Sequence, residues 1–421
     1  GISLLVDPLS AFFILTNAAV TAAVILCCWS DRQPPFFHAP ILMLHGSVNA
    51  AFVCSDFISL YVALEVLTIA AFLLIALPRS DRAIWVGLRY LFVSNVAMLF
   101  YLVGAVLVYQ AHHAFDFEGL RAAPPEAVAL IFLGLTVKGG VFLSGLWLPQ
   151  THAEAASPVS ALLSGIVVKA AVLALLRCAL MLAEFDAIVR AFGVAAALLG
   201  AVYAVFEKDA KRLLAFSTLS QLGFILAAPE VGGFYALTHG LVKSALFLIA
   251  GKLPERDLEA LRRRPLHTPL WIALAAVSFS ISGFPLLSGF GAKILTMKNL
   301  LPWQVAGMNL AALGTAAAYA KFIFLPHQRC RPERKPRLTP GFWAATALLI
   351  GGLFAANAVY YRAYTLENVV KPLATIAAGW LVHALILRRI SLRLPRAPER
   401  FEHLIGVMSL SLILLYWMAW A

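Results

Sequence analysis

The strongest constraint on this chain is a succession of apolar stretches, each about as long as a membrane is thick. A helix crosses the hydrocarbon core of a bilayer with roughly 20 apolar residues. Read on that scale, the sequence holds about fourteen segments, near 4–29, 36–54, 57–77, 83–109, 126–148, 158–182, 186–206, 213–228, 232–251, 268–299, 303–325, 341–360, 368–387 and 404–420. Composition agrees: 62% of the 421 residues are apolar and 13% are charged, about half the usual ~25% of soluble domains. A soluble enzyme is excluded, and the expected fold is an all-α polytopic membrane protein.

Two segments are irregular. The run KGGVFLSGLWLP starts at Lys138 and carries Gly139, Gly140 and Gly145. The run SISGFPLLSGFGAK ends at Lys293 and carries Gly283, Pro285, Gly289 and Gly291. Both read as helices broken in mid-membrane, which persist only where protein or a watery cavity satisfies the freed backbone groups. A pair of such segments points to a transporter built from repeats.

The net charge of +12 is explained by topology. Arg32, Arg79 and Arg82, and the clusters at 208–212, 252–264, 329–337 and 388–400, fall on one set of alternate loops. The other set holds only Arg121, Arg190, Arg362 and Lys371. The positive-inside rule places the first set in the cytoplasm or its equivalent and both ends of this chain on the opposite side. No nucleic-acid partner is needed to account for the bases.

Cys27, Cys28, Cys54, Cys178 and Cys330 have no metal or disulfide spacing, and no GxGxxG or GxxxxGK[ST] motif is present. No cofactor and no metal are expected. The chain opens on Gly1 without a basic leader, so it is read as a processed chain or a fragment rather than one beginning with a signal peptide.

A few charges lie inside the spans: Glu65, Lys138, Lys169, Lys243 and Lys293, with His239 one helical turn before Lys243. Facing lipid, four lysines and a glutamate would cost roughly 12–18 kcal/mol, at about 2.5–3.5 each. They must face the bundle interior, one another or water. Burial disfavours a charged lysine and a nearby carboxylate favours it, so a lysine between the two can exchange protons near neutrality. Histidine titrates there with little help. The six residues suit a proton relay. Taken singly, Glu65 with a lysine could be a structural ion pair and His239 a satisfied core histidine. His112, His113 and Asp116 read as solvated loop residues.

At these positions the sequence resembles the antiporter-like subunits shared by respiratory complex I, membrane-bound hydrogenases and Mrp-type cation/proton antiporters. SPVSALLSGIVVKAAVLALLR (Ser157–Arg177) is similar to the family's eighth span. DAKRLLAFSTLSQLGFILA (Asp209–Ala227), THGLVKSALFLIAG (Thr238–Gly251), SISGFPLLSGFGAKI (Ser280–Ile294), WLPQTHAEAA and VDPLSAFFIL resemble further family motifs. The resemblance covers most of residues 6–325. It implies fourteen core helices in two inverted five-helix repeats, with two helices before the first one here. It also implies a proton relay in which Glu65 pairs with Lys138, Lys169 follows, His239 and Lys243 are central, and Lys293 leads to the exit. Leu143, Ser144 and Gly145 stand where the family often has PLH, which puts a role for that histidine in doubt, while His152 in the following loop is retained. SGLWLPQTH and FEHLIGVMSL look most like the D-type subunit of cyanobacterial-style Mrp antiporters.

The expected organisation is N-terminal flanking helices over 1–56, a first repeat region over 57–182, a second over 186–325 and C-terminal flanking helices over 326–421. The expected function is a proton-translocating subunit of a multi-subunit Na+/H+ antiporter in a bacterial inner or thylakoid membrane, working with other membrane subunits. The alternative is a proton-pumping subunit of complex I or NDH-1 (NADH/ferredoxin:quinone oxidoreductase), with redox chemistry on partners. A structural member with an idle channel is the third reading.

Overall fold

The computed structural model describes residues 4–29, 33–329, 338–390, 392 and 394–420. Arg32, Cys330, Arg331, Arg334, Lys335, Arg337 and Arg393 lie outside the described residues, as does the side chain of Arg362. The chain is almost wholly helical: α1 (Pro8–Cys28), α2 (His38–Val53), α3 (Phe57–Ile75), α4 (Asp81–His112), α5 (Pro125–Gly139), α6 (Leu148–Glu154), α7 (Ser157–Leu162), α8 (Val168–Met181), α9 (Ala183–Phe206), α10 (Ala210–Leu226), α11 (Gly232–Ala250), α12 (Leu258–Leu261), α13 (Thr268–Ser282), α14 (Ser288–Lys298), α15 (Val305–Ile323), α16 (Pro340–Val359), α17 (Leu366–Val382) and α18 (Phe401–Trp420). One short parallel pairing, Leu266–His267 with His327–Gln328, ties two loops.

Helices start where a side chain can take up the orphan amides of the first turn. Asp7 accepts from the Ser10 amide, Asp56 from Ser59, Ser80 from Ala83 and Asp209 from Arg212. Among the described residues, ten helical segments are long and apolar enough to cross a membrane, and the protein is an integral multi-pass membrane protein. The remaining predicted segments are also helical, as α2, α10, α13–α14 and α15, but they are shorter or more polar.

Burial sorts the bundle. The spans α7–α8 and α11 are fully buried, whereas α16, α17 and α18 bury only 17–28% of their most apolar windows. The spans that carry Lys169, His239 and Lys243 are thus the central ones, and the exposed faces of the last three helices are left for lipid or neighbours. α10 is buried along its whole length and packs against α9, α11 and α6.

Four residues read as loop residues are in fact inside helices. His152 sits in α6 and is fully buried, because Pro149 fits the first turn of a helix and WLPQTHAE folds back into the bundle. Lys211 and Arg212 belong to the buried first turn of α10, since the Asp209 cap starts that helix at Ala210. Arg190 lies within α9, held by Asp186 and Glu230.

Candidate functional site

α5 breaks at Gly140, whose φ of +65° only glycine adopts without strain. The break leaves Lys138 in the last turn of a half-helix, where the carbonyl end of the dipole favours a cation. Its Nζ donates to Thr68 Oγ1 and lies 3.9 Å from Glu65 Oε1. Glu65 and Thr68 are one turn apart on α3 and share a face. At 3.9 Å the Glu65 contact is an ion pair and not a hydrogen bond, and Glu65 Oε1 is buried without a hydrogen-bond partner. Across the break, the Trp147 indole N–H donates to the Val137 carbonyl at 2.9 Å.

Lys169 follows a π turn at Leu163–Val167. Such a turn widens the helix by one residue and recurs at functional sites. Here the Ser164 carbonyl accepts from Lys169 Nζ at 3.0 Å, so the fully buried Lys169 bonds back to its own helix backbone. The end of α5 packs beside it: a Cβ at Gly139 would meet Val172, one turn beyond Lys169, at 3.3 Å.

Lys243 lies on α11 and donates to the Leu214 carbonyl at 3.0 Å and to the Tyr319 hydroxyl at 2.8 Å. Tyr319 in turn meets Ser217 Oγ at 2.9 Å. Thr218 Oγ1 donates to the same Leu214 carbonyl at 2.9 Å and meets Ser164 Oγ at 2.7 Å. A connected set of polar groups therefore runs from the Lys169 turn, across α10, to Lys243. Gln221 lies one turn further along α10 in a separate group: Tyr235 donates to its side chain at 2.6 Å, and it donates to Thr315 at 3.2 Å. Positions 214, 217, 218, 221 and 224 follow the helical period and form one face of α10.

Lys293 uses the second break. Gly283 has φ +89°, and Lys293 Nζ reaches back from α14 to the carbonyl of Ser282, the last residue of α13, at 3.2 Å. It also sits 5.4 Å from the centre of the Phe224 ring on α10, within cation–π range. His239 is buried, and neither ring nitrogen has a hydrogen-bond partner.

The structure thus pairs Glu65 with Lys138, joins Lys169 to Lys243 and buries His239 one turn before Lys243 on α11. It brings Lys293 to the far end of the α10 face. It also adds Thr68, Tyr319, Ser164, Ser217, Thr218 and Gln221, which the charge pattern alone did not single out. His152 is a further addition, stacked on Phe247 with ring centres 4.7 Å apart; only its place in the WLPQTH run signalled it. Several buried hydroxyls, on Thr238, Ser278, Ser280, Ser288 and Thr296, have no protein partner. Among the described residues no cluster of side chains could hold a metal ion.

Comparison with known proteins places this geometry. The family profile described as NADH:quinone oxidoreductase/Mrp antiporter, TM, matches residues 54–318, more than half of the chain. NAD(P)H-quinone oxidoreductase chain 4 1 of Synechococcus elongatus is 29% identical over 69% of this chain and 60% of its own length. NADH-quinone oxidoreductase subunit N of Desulforudis audaxviator is 29% identical over 79% of this chain and 75% of its own. Hydrogenase-4 component B of Escherichia coli is 28% identical over 76% and 54%. The chain therefore spans a little over half to three quarters of these relatives. A chain of the membrane-bound sulfane sulfur reductase, an archaeal respiratory membrane complex, superposes with a TM-score of 0.76 at 23% identity, covering 91% of this chain and 86% of that one. A chain of the Mrp complex from Dietzia sp. DQ12-45-1b gives 0.72 at 20%, covering 96% and 86%. At those identities the two structures speak for the fold alone.

Proposed function

We propose that this chain, which belongs to the NADH:quinone oxidoreductase/Mrp antiporter membrane family, is a proton-translocating subunit of a multi-subunit membrane assembly. The observation that carries the reading is the polar seam linking Lys169 and Lys243 through Ser164, Thr218, Leu214 and Tyr319. The carbonyls in it can only accept, so they fix the lysines in place. Proton transfer itself falls to the hydroxyls, His239 and water held by the hydroxyls that have no protein partner. Glu65 and Lys138 act as the gate. Separating them removes the charge that holds the proton on Lys138 and favours its passage toward Lys169. Lys293, at the second break, takes the proton onward.

The finer assignment is a cation/proton antiporter of the Mrp type, with Na+ exchanged through partner subunits. It rests on the SGLWLPQTH and FEHLIGVMSL variants. The second reading, a subunit of a quinone oxidoreductase, is favoured by the curated relatives named above. The neighbours decide: co-purification with quinone- and iron–sulfur-bearing subunits selects the second reading, and their absence from an intact complex the first. On either, the basic loops face the cytoplasm or its equivalent.

The relay is tested by Glu65→Gln and Lys138→Gln in the assembled complex. Both should abolish proton-linked transport in vesicles while assembly, read by native gel, stays intact. Normal transport in either variant sinks the relay.

A further inference from the structure

The C-terminal helices lie beyond the residues that match the family profile, yet the connector before α18 enters the centre of the cytoplasmic side. Its single helical turn, Ala397–Glu399, buries Glu399 to 5% exposure. The Glu399 carboxylate accepts from the Arg212 guanidinium at 2.6 Å, and Arg212 also binds Glu207 at 2.9 Å. The Glu399 backbone carbonyl accepts from Arg89 of α4 at 2.7 Å. Arg89 in turn donates to the Gln150 side chain and, at 3.2 Å, to the Trp147 carbonyl at the start of α6. One residue therefore binds the first turn of α10 directly with its carboxylate, and with its backbone carbonyl holds Arg89, which in turn binds the far half of the broken helix. α18 then packs along α5, and Ser411 Oγ meets Ser144 Oγ, inside the break, at 3.2 Å.

We propose that Glu399 is a positioning residue that fixes the broken α5–α6 helix, which carries Lys138, against α10, on whose face Lys169 and Lys243 converge. The proposal rests on the relay reading for its functional half. Its structural half stands alone. A buried charge network held by several partners sets one geometry, because removing one partner strands the others. A relay is sensitive to that geometry, since a displacement of about 1 Å can cost roughly 100-fold in rate. α6 already packs on α10, and the connector adds a second, hydrogen-bonded tie through Arg212 and Arg89.

The test uses the full chain in its membrane complex, with Glu399→Ala, Glu399→Asp, Arg212→Gln and the double variant Glu399→Ala/Arg212→Gln. Two quantities are read. The first is hydrogen exchange of the backbone amides from Trp147 to Thr151. The second is proton-linked transport in vesicles, resolved into maximal rate and half-saturating ion concentration. Glu399→Ala should raise exchange over 147–151 about 10-fold and lower the maximal rate about 10-fold with half-saturation unchanged. Glu399→Asp should recover part of both, and the double variant should be no worse than Glu399→Ala, as expected of residues acting as one unit. If Glu399→Ala does not assemble, Glu399→Gln, which removes the charge but keeps the oxygen Arg212 binds, carries the same readouts. Unchanged exchange over 147–151, or additive effects in the double variant, overturns the proposal. Raised exchange together with normal transport in Lys138→Gln supports the tie and rejects the relay reading instead.

Discussion

The two halves of the polar path hold their lysines by different means. In the first half Lys138 faces a carboxylate, Glu65, across 3.9 Å. In the second, Lys243 faces a carbonyl and a phenol, and Lys293 a carbonyl and an aromatic ring. The two broken helices nevertheless use one device. Each presents the carbonyl end of a half-helix to a lysine, which favours a cation there without any acid. The comparison teaches that an interrupted backbone can stand in for a counter-ion in a membrane interior. A true acid is then needed only where the pairing itself must open and close.

The sharpest way to break that comparison is to remove the two charges alike. Lys138→Met strands a half-buried Glu65 and should destabilise the detergent-solubilised protein by up to about 3 kcal/mol. Lys243→Met strands no charge, because Tyr319 keeps Ser217 and the Leu214 carbonyl keeps Thr218. It should be close to neutral or stabilising in thermal unfolding while abolishing transport. Equal losses of stability would remove the distinction.

Next in size is the break itself. Gly140→Ala puts a side chain at φ +65° and against Leu148. It should cost about 1–3 kcal/mol in stability, and the matching Gly283→Ala should cost a similar amount, measured by thermal melts of the two variants side by side. A smaller effect is expected at Tyr319→Phe. Losing the hydroxyl that bonds both Lys243 and Ser217, at about 0.5–1.5 kcal/mol net per bond, should slow proton transport roughly tenfold and leave the Glu65–Lys138 half unaffected, read by comparing its rate with that of Thr68→Val.

The smallest concerns the rim that carries the basic loops. Burial pushes the Glu207 carboxyl up, but Arg212 and the amides of Asp209 and Lys208 outweigh it and hold it below the usual 4.5. A carboxylate held low contributes stability that is present above 4.5 and is lost as pH falls through the lower folded value. Thermal stability should thus decline as pH drops below that point, and Glu207→Gln should flatten the slope.

Much of this was legible in the sequence for a physical reason. A charge in an apolar run has to be accommodated, so Glu65, Lys138, Lys169, Lys243 and Lys293 announced themselves. Glycines clustered in mid-span marked both breaks, and the structure ends α5 and α13 at those glycines. The hydroxyl face of α10 was hidden because serine and threonine are too small and too common in helices to stand out from AFSTLSQ. The π turn at 163–167 has no residue signature, since SGI also fits an ordinary helix. His152 was read as a loop residue because WLPQTH combines a proline with polar neighbours, and only the return of that segment into the bundle buries it.

The Trp147 bridge to Val137 has a mechanical consequence. It makes the gap in α5–α6 a latched hinge rather than a free joint. Swinging α6 about Gly140 requires the indole to release a carbonyl whose neighbour in sequence is Lys138. Motion of the backbone and a change in the field around that lysine are then a single event, and the tryptophan's own emission is placed to report it.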